Sequence, residues 1–147
     1  MQRNSRRKLI TGAVAAVAAA SAGDAQTKPE KKIYRTGPKP ATVPAYSPAV
    51  SHGNLLFLSG FIYRQTGDIK VQTEAVLNDI RTQLEAAGSS MSKVLKCTVL
   101  LADMKDFAGM NEVYTGKFGD EPPARTTAAV AGLPANSLIE IDVVAYM

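Results

Sequence analysis

The chain has 147 residues, of which 46% are hydrophobic and 20% charged, the balance of a single soluble globular domain with no room for a second of ordinary size. The net charge of +4 comes entirely from Arg3, Arg6, Arg7 and Lys8; from Pro40 onward eight Lys and Arg face eleven Asp and Glu, a balance of −3. Nucleic-acid binding needs a basic footprint on the folded body, and this body has none.

Residues 3 to 8 carry four positive charges, and Leu9 to Ala22 is an uncharged, alanine-rich run of fourteen residues. A basic start, a short apolar stretch and small residues at the cut are the order of a secretory signal. Fourteen helical residues span ~21 Å, short of the ~30 Å hydrocarbon core. The membrane is therefore expected to be met only during export. Ser5-Arg6-Arg7-Lys8-Leu9-Ile10 resembles the twin-arginine export motif, which points to a periplasmic or secreted protein. No cysteine follows the run to take a lipid. Residues 1–25 are read as the cleaved signal, with the cut after Ala22 or Ala25. Residues 26–42, polar, proline-bearing and cationic, are read as a linker; a charged strand at the domain edge is the alternative.

The domain proper covers residues 43–147. Ala49 to His52 and Leu55 to Ser59 predict two strands joined at His52-Gly53-Asn54. Residues 71–87 predict a helix with Leu77, Ile80, Leu84 and Ala87 on one face and Gly88 as its stop. Val94 to Ala102 predicts a strand. Asp103 can cap a second helix running to about Phe118, with Phe107, Met110, Tyr114 and Phe118 as its apolar stripe. Strands over about 124–131 and 138–146 complete a ββαβαββ order. The fold class is α+β, a sheet with both helices on one face.

Leu55 to Leu58, Val99 to Leu101 and Val143 to Tyr146 are apolar without alternation, as in strands buried on both sides. Two helices screen only one side, so a second copy of the chain is expected on the other. Cys97, the single cysteine, allows no disulfide within the chain, and its apolar setting reads as a buried thiol. With one histidine, His52, it cannot build a zinc site, and no metal is expected.

Arg125 stands near the start of the fourth of these strands, where Pro122-Pro123-Ala124 lead into it. Period-two alternation puts it on one face with Thr127 and Ala129. An arginine among small residues is expensive to bury unpaired; it either pairs internally or awaits an anion, and its fork suits a carboxylate. Glu140 sits opposite in phase to Ile139 and Ile141. It is either on a solvated face or, if the sheet is covered on both sides, an enclosed carboxylate able to act as acid or base. Asn111 falls between Phe107 and Tyr114 on the helical stripe, where a structural hydrogen bond and a ligand contact are equally open. Gly60 after Ser59 lets a backbone amide approach something closely.

Several stretches together resemble the Rid family of reactive-intermediate deaminases, also called the YjgF family. They are Ala45-Tyr46-Ser47 with Ala49-Val50, Gly53 to Gly60, Leu84 to Gly88, Leu101 to Phe107, Asn111 to Tyr114, Pro123-Ala124-Arg125 and Ile139-Glu140-Ile141. The resemblance implies a chorismate-mutase-like mixed sheet assembled as a homotrimer, with sites between subunits. It further implies cofactor-free hydrolysis of 2-imino acids, of the 2-iminopropanoate and 2-iminobutanoate type, or their enamines, to 2-keto acids and ammonia. On that likeness Arg125 holds the substrate carboxylate and Glu140 positions or activates water. Tyr46, Ser59, Gly60, Asn111 and Thr127 line the pocket and place the substrate. Ala45 and Pro48 depart from the family's usual proline and glutamine, and Phe61-Ile62-Tyr63-Arg64 replaces its usual polar residue, proline and longer loop; these leave pocket shape and substrate choice open. The alternative is a non-catalytic small-molecule-binding or stress-protective protein on the same frame. The ribonuclease activity attributed to some members is disfavoured by the acidic body.

Overall fold

The computed structural model describes residues 28–147; the segment read as an export leader, and the cut expected after Ala22 or Ala25, lie outside them. The elements in order are β1 Lys32–Tyr34, β2 Ala49–His52, β3 Leu55–Ile62, α1 Ile69–Ala86, β4 Val94–Leu101, α2 Phe107–Tyr114, β5 Ala124–Ala129 and β6 Ile139–Tyr146. The ββαβαββ order stands from β2 onward. Ahead of it, the polar segment read as a linker contributes β1, its alternative. Ile33 pairs with Val50, and the Tyr34 and Ser51 hydroxyls meet at 3.3 Å, so backbone pairing and one buried serine tie this edge down despite its lysines.

Local chemistry explains the element ends. Gly53 takes φ 60 between β2 and β3, the left-handed first turn position that a two-residue hairpin requires of glycine. The Asp68 side chain accepts from the Val71 amide at 2.9 Å, capping α1 and starting it two residues earlier than the apolar spacing indicates. Gly88, at φ 83, closes it, with the Ser89 amide returning to the Leu84 carbonyl at 2.9 Å. The second helix is shorter than expected. Asp103 caps a 3-10 turn at Met104–Asp106 by accepting from the Lys105 amide, and α2 then runs only to Tyr114. Gly116 and Gly119, both at positive φ, follow it. Most of the stripe survives this: Met110, Tyr114 and Phe118 are buried, the last two rings packing 4.9 Å apart, while Phe107 at its start is exposed.

The six strands form one sheet in the order β1-β2-β3-β6-β4-β5. β4 and β5 are parallel, joined by α2, and the other neighbours are antiparallel. Leu56, Leu58, Val99, Leu101, Ile139, Ile141 and Val143 point to the helices and bury against Val76, Leu77, Ile80, Leu84 and Met110. Each such side chain contributes about 1.5–3 kcal/mol on burial, so Ile80→Ala, which empties the centre of this layer, costs about 2–5 kcal/mol. The opposite face is bare. Leu55, Phe57 and Tyr146 there are 42%, 44% and 38% exposed. The single chain thus covers one side of strands whose composition suits two.

Candidate functional site

Register decides which face each candidate occupies. On β5, Arg125 lies beside Cys97 of β4 and Thr127 beside Val99. Cys97 and Val99 are wholly buried beneath the helices, so Arg125 and Thr127 share that side, next to α2. The guanidinium lies 4.6 Å from the centroid of the Tyr114 ring and 5.7 Å from that of Phe107, and Nη1 is 3.9 Å from the Met110 sulfur. No carboxylate lies within ion-pair distance of it among the described residues. Stacking on aromatic faces holds a guanidinium while leaving its in-plane donors free. Of the two fates open to Arg125, internal pairing is not found among the described residues. Asn111, half-buried as its stripe position indicates, lines the same cleft of ≈ 470 Å³ with Tyr114, Pro122 and Pro123. The Thr127 hydroxyl, on the same face of β5 as Arg125, is buried without a hydrogen-bond partner. Burial pushes the Cys97 thiol up to about 11 and raises Tyr114 as well; a thiol so raised is neutral near pH 7 and no nucleophile.

Glu140 stands on the other face. It pairs with Ile62 of β3 and Leu100 of β4, while its neighbours Ile139 and Ile141 are wholly buried towards the helices. A bulge in β3 between Leu58 and Phe61 brings Ser59 and Gly60 against it. A Cβ built on Gly60 would sit 1.9 Å from Glu140 Oε1. What the glycine admits is thus the carboxylate itself, laid on the backbone. Ser59 ties this strand to the preceding loop: its hydroxyl donates to the Ser47 carbonyl at 2.8 Å and its amide to Pro48 at 3.0 Å. That brings Tyr46, 63% exposed, over a cleft of ≈ 320 Å³ shared by Ser59, Gly60, Arg64 and Glu140.

The candidates therefore fall into two half-sites. Arg125, Asn111 and Thr127 gather on the helix-covered side, and Tyr46, Ser59, Gly60 and Glu140 on the bare side. The expectation of a carboxylate near the guanidinium is not met within one chain, because the sheet lies between them. Sequence reasoning missed Tyr114 and Phe107 as the seat of the guanidinium. It also gave no site role to Arg64, although continued alternation from Ile62 places Arg64 on the Glu140 face. Among the described residues, no group of three or more His, Cys, Asp or Glu could hold a metal ion, and no helix is long and apolar enough to cross a membrane.

A family model described as Endoribonuclease L-PSP matches residues 36–147, beginning inside the segment read as a linker. A RutC family protein of Pyrococcus horikoshii is 46% identical over 123 residues, 79% of this chain and 98% of that one. The chloroplastic Reactive Intermediate Deaminase A of Arabidopsis thaliana is 39% identical over 125 residues, 80% of this chain and 67% of that protein. Among solved structures, RidA from an Antarctic Psychrobacter has a TM-score of 0.71 at 36% identity, covering 79% of this chain and 99% of its own. E. coli TdcF with bound serine has a TM-score of 0.71 at 31% identity, covering 79% and 98%.

Proposed function

The chain belongs to the Rid (YjgF) family, and on that premise we propose that it hydrolyses 2-imino acids or their enamines to 2-keto acids and ammonia, in clefts shared by neighbouring copies of a homotrimer. One observation carries this: a guanidinium with free donors on one face of the sheet, a carboxylate on the other, and an apolar bare face for a second copy to cover. Closing a ring of copies presents the Arg125 half-site of one protomer to the Glu140 half-site of the next.

The chemistry follows from the two half-sites. Arg125 grips the substrate carboxylate through two parallel N–H···O bonds. That fixes the imine carbon at the mouth of the cleft, with Asn111 and the Thr127 hydroxyl as further polar contacts. Glu140 takes a proton from water as the water oxygen bonds to the carbon of the protonated imine. The tetrahedral carbinolamine then receives that proton on nitrogen, the C–N bond breaks, and ammonia leaves as the carbonyl forms and the hydroxyl proton passes to the freed Glu140 carboxylate, which gives it up to the departing ammonia or to solvent. Water is the only co-reactant, and no electron is transferred. Orientation and acid–base help suffice for so reactive a group. The ribonuclease activity that the family model's description suggests finds no support in a body with a charge balance of −3.

The test generates 2-iminopropanoate in situ with an amino-acid oxidase and follows imine loss and keto-acid release. Arg125→Ala and Glu140→Gln each reduce the rate to background. Co-expressed, they restore about a quarter of wild-type activity, because a cyclic assembly then holds intact sites at one junction in four. Wild-type protein that binds 2-keto acids without turnover would refute hydrolysis in favour of a binding protein. Turnover with no restoration would place both groups in a single-chain site.

A further inference from the structure

The departure at Phe61 to Arg64 has a place in the site. After the bulge at Ser59 and Gly60, Phe61 pairs with Ile141 and packs towards the core, while Ile62 pairs with Glu140 on the bare face. Alternation carries Tyr63 to the core side, where it packs as a partly buried ring, and Arg64 to the Glu140 side. Arg64 is exposed and, among the described residues, has no carboxylate within ion-pair distance. It lines two adjoining clefts. One, of ≈ 320 Å³, contains Glu140. The other, of ≈ 240 Å³, is lined also by Gln83, 2% exposed, whose Nε2 makes no hydrogen bond. Tyr46, Ser59, Gly60, Ile62 and Arg64 are common to both, so Arg64 stands where one opens into the other. A buried amide donor left unpaired is costly; Gln83 lines that second cleft, so a rotation of its amide towards the cleft brings the donor to an acceptor that enters it.

We propose that Arg64, with Gln83 behind it, makes the site selective for imines carrying a second carboxylate: 2-imino dicarboxylates, the oxidation products of acidic amino acids. This rests on the assignment of the Glu140 cleft as the place of reaction. The two carboxylates of such a substrate have separate partners. Arg125 of the neighbouring copy holds the one on the imine carbon. The distal one lies two or three carbon–carbon bonds of about 1.5 Å further on, passes Glu140, and meets the Arg64 guanidinium and the Gln83 amide. An uncharged side chain leaves both donors unmet, the kind of difference on which substrate discrimination is built.

The experiment compares kcat/KM for 2-iminoglutarate and 2-iminopropanoate, each generated in situ from its amino acid by an oxidase, on the full chain. Wild type favours the dicarboxylate. Arg64→Ala lowers that preference about 10- to 100-fold, the loss of a charge-assisted pair; Arg64→Lys retains part of it. Gln83→Leu, which keeps volume and removes the unpaired amide, lowers it about 3- to 10-fold. Thermal protection by glutarate, present in wild type, is lost in Arg64→Ala. Equal losses on both substrates, or a wild type that favours 2-iminopropanoate, overturn the proposal while leaving the hydrolase intact. Absence of hydrolysis of either imine overturns both.

Discussion

Gly60→Ala isolates the positioning of Glu140 from its presence. The added methyl would lie 1.9 Å from Oε1, 2.7 Å from Cδ and 2.9 Å from Cγ of Glu140. All three atoms belong to the end of a flexible side chain, so the carboxylate moves rather than the backbone. To reach the 3.4 Å at which ordinary contact begins, Oε1 must shift by about 1.5 Å. A misplacement of about 1 Å at a reacting group costs about 10²-fold in rate, so kcat on 2-iminopropanoate falls about 100-fold. Stability changes little. The rotamer change costs about 0.5–1.5 kcal/mol, and alanine recovers part of this through the entropy glycine loses on folding. Binding of a non-reacting 2-keto acid, gripped by Arg125 on the neighbouring copy, stays within about threefold of wild type, a difference under 1 kcal/mol. Stopped-flow imine loss, calorimetric binding and thermal unfolding on one preparation separate the three. Wild-type kcat, or a stability loss above about 3 kcal/mol, refutes the reasoning: in the first case Glu140 is not the base, in the second the bulge itself has yielded.

The bare face gives a second expectation. Phe57→Asp puts a charge where 44% of the ring is exposed in the single chain, so the protomer still folds, but sedimentation shows it monomeric and activity is lost; an intact oligomer would contradict this. Cys97 gives a pH dependence. Its folded pKa is raised by burial to about 11 from an ordinary 9.0, so its contribution is complete below pH 9 and is lost as pH rises towards 11, about 2–3 kcal/mol in all. Urea melts between pH 8 and 11 show this fall, flatter in Cys97→Ala, with Tyr114, also raised, adding to the alkaline loss in both proteins. The export leader remains a proposal: Arg6→Lys with Arg7→Lys retains the precursor in the cytoplasm, and unchanged export on cell fractionation refutes the twin-arginine route.

Much of the candidate site's geometry was legible because some of its signals are local. Arg125 and Thr127 on one strand face, Asn111 on the helical stripe and Gly60 as a point of close approach all follow from period two, period 3.6 and a missing Cβ. The strand and helix order followed from the same periods. The misses also have local causes. A helix to Phe118 ignores glycines whose positive φ ends it early, and the linker reading weighed proline and lysine content over the adjacent β-favouring pair Ile33-Tyr34.

Period and side-chain chemistry settle, from sequence alone, which residues of one element share a face, that the body is acidic and that Cys97 belongs inside. The tertiary structure alone decided how one strand's faces match another's. That matching depends on inter-strand register, where a slip of one residue reverses every side chain. Register and the bulge at Ser59 and Gly60 put Arg125 and Glu140 on opposite sides of the sheet, laid a carboxylate on Gly60, and brought Arg64 beside it. No property of Arg125 or Glu140 taken singly carries that information, because it resides in the hydrogen bonds between strands distant in the chain.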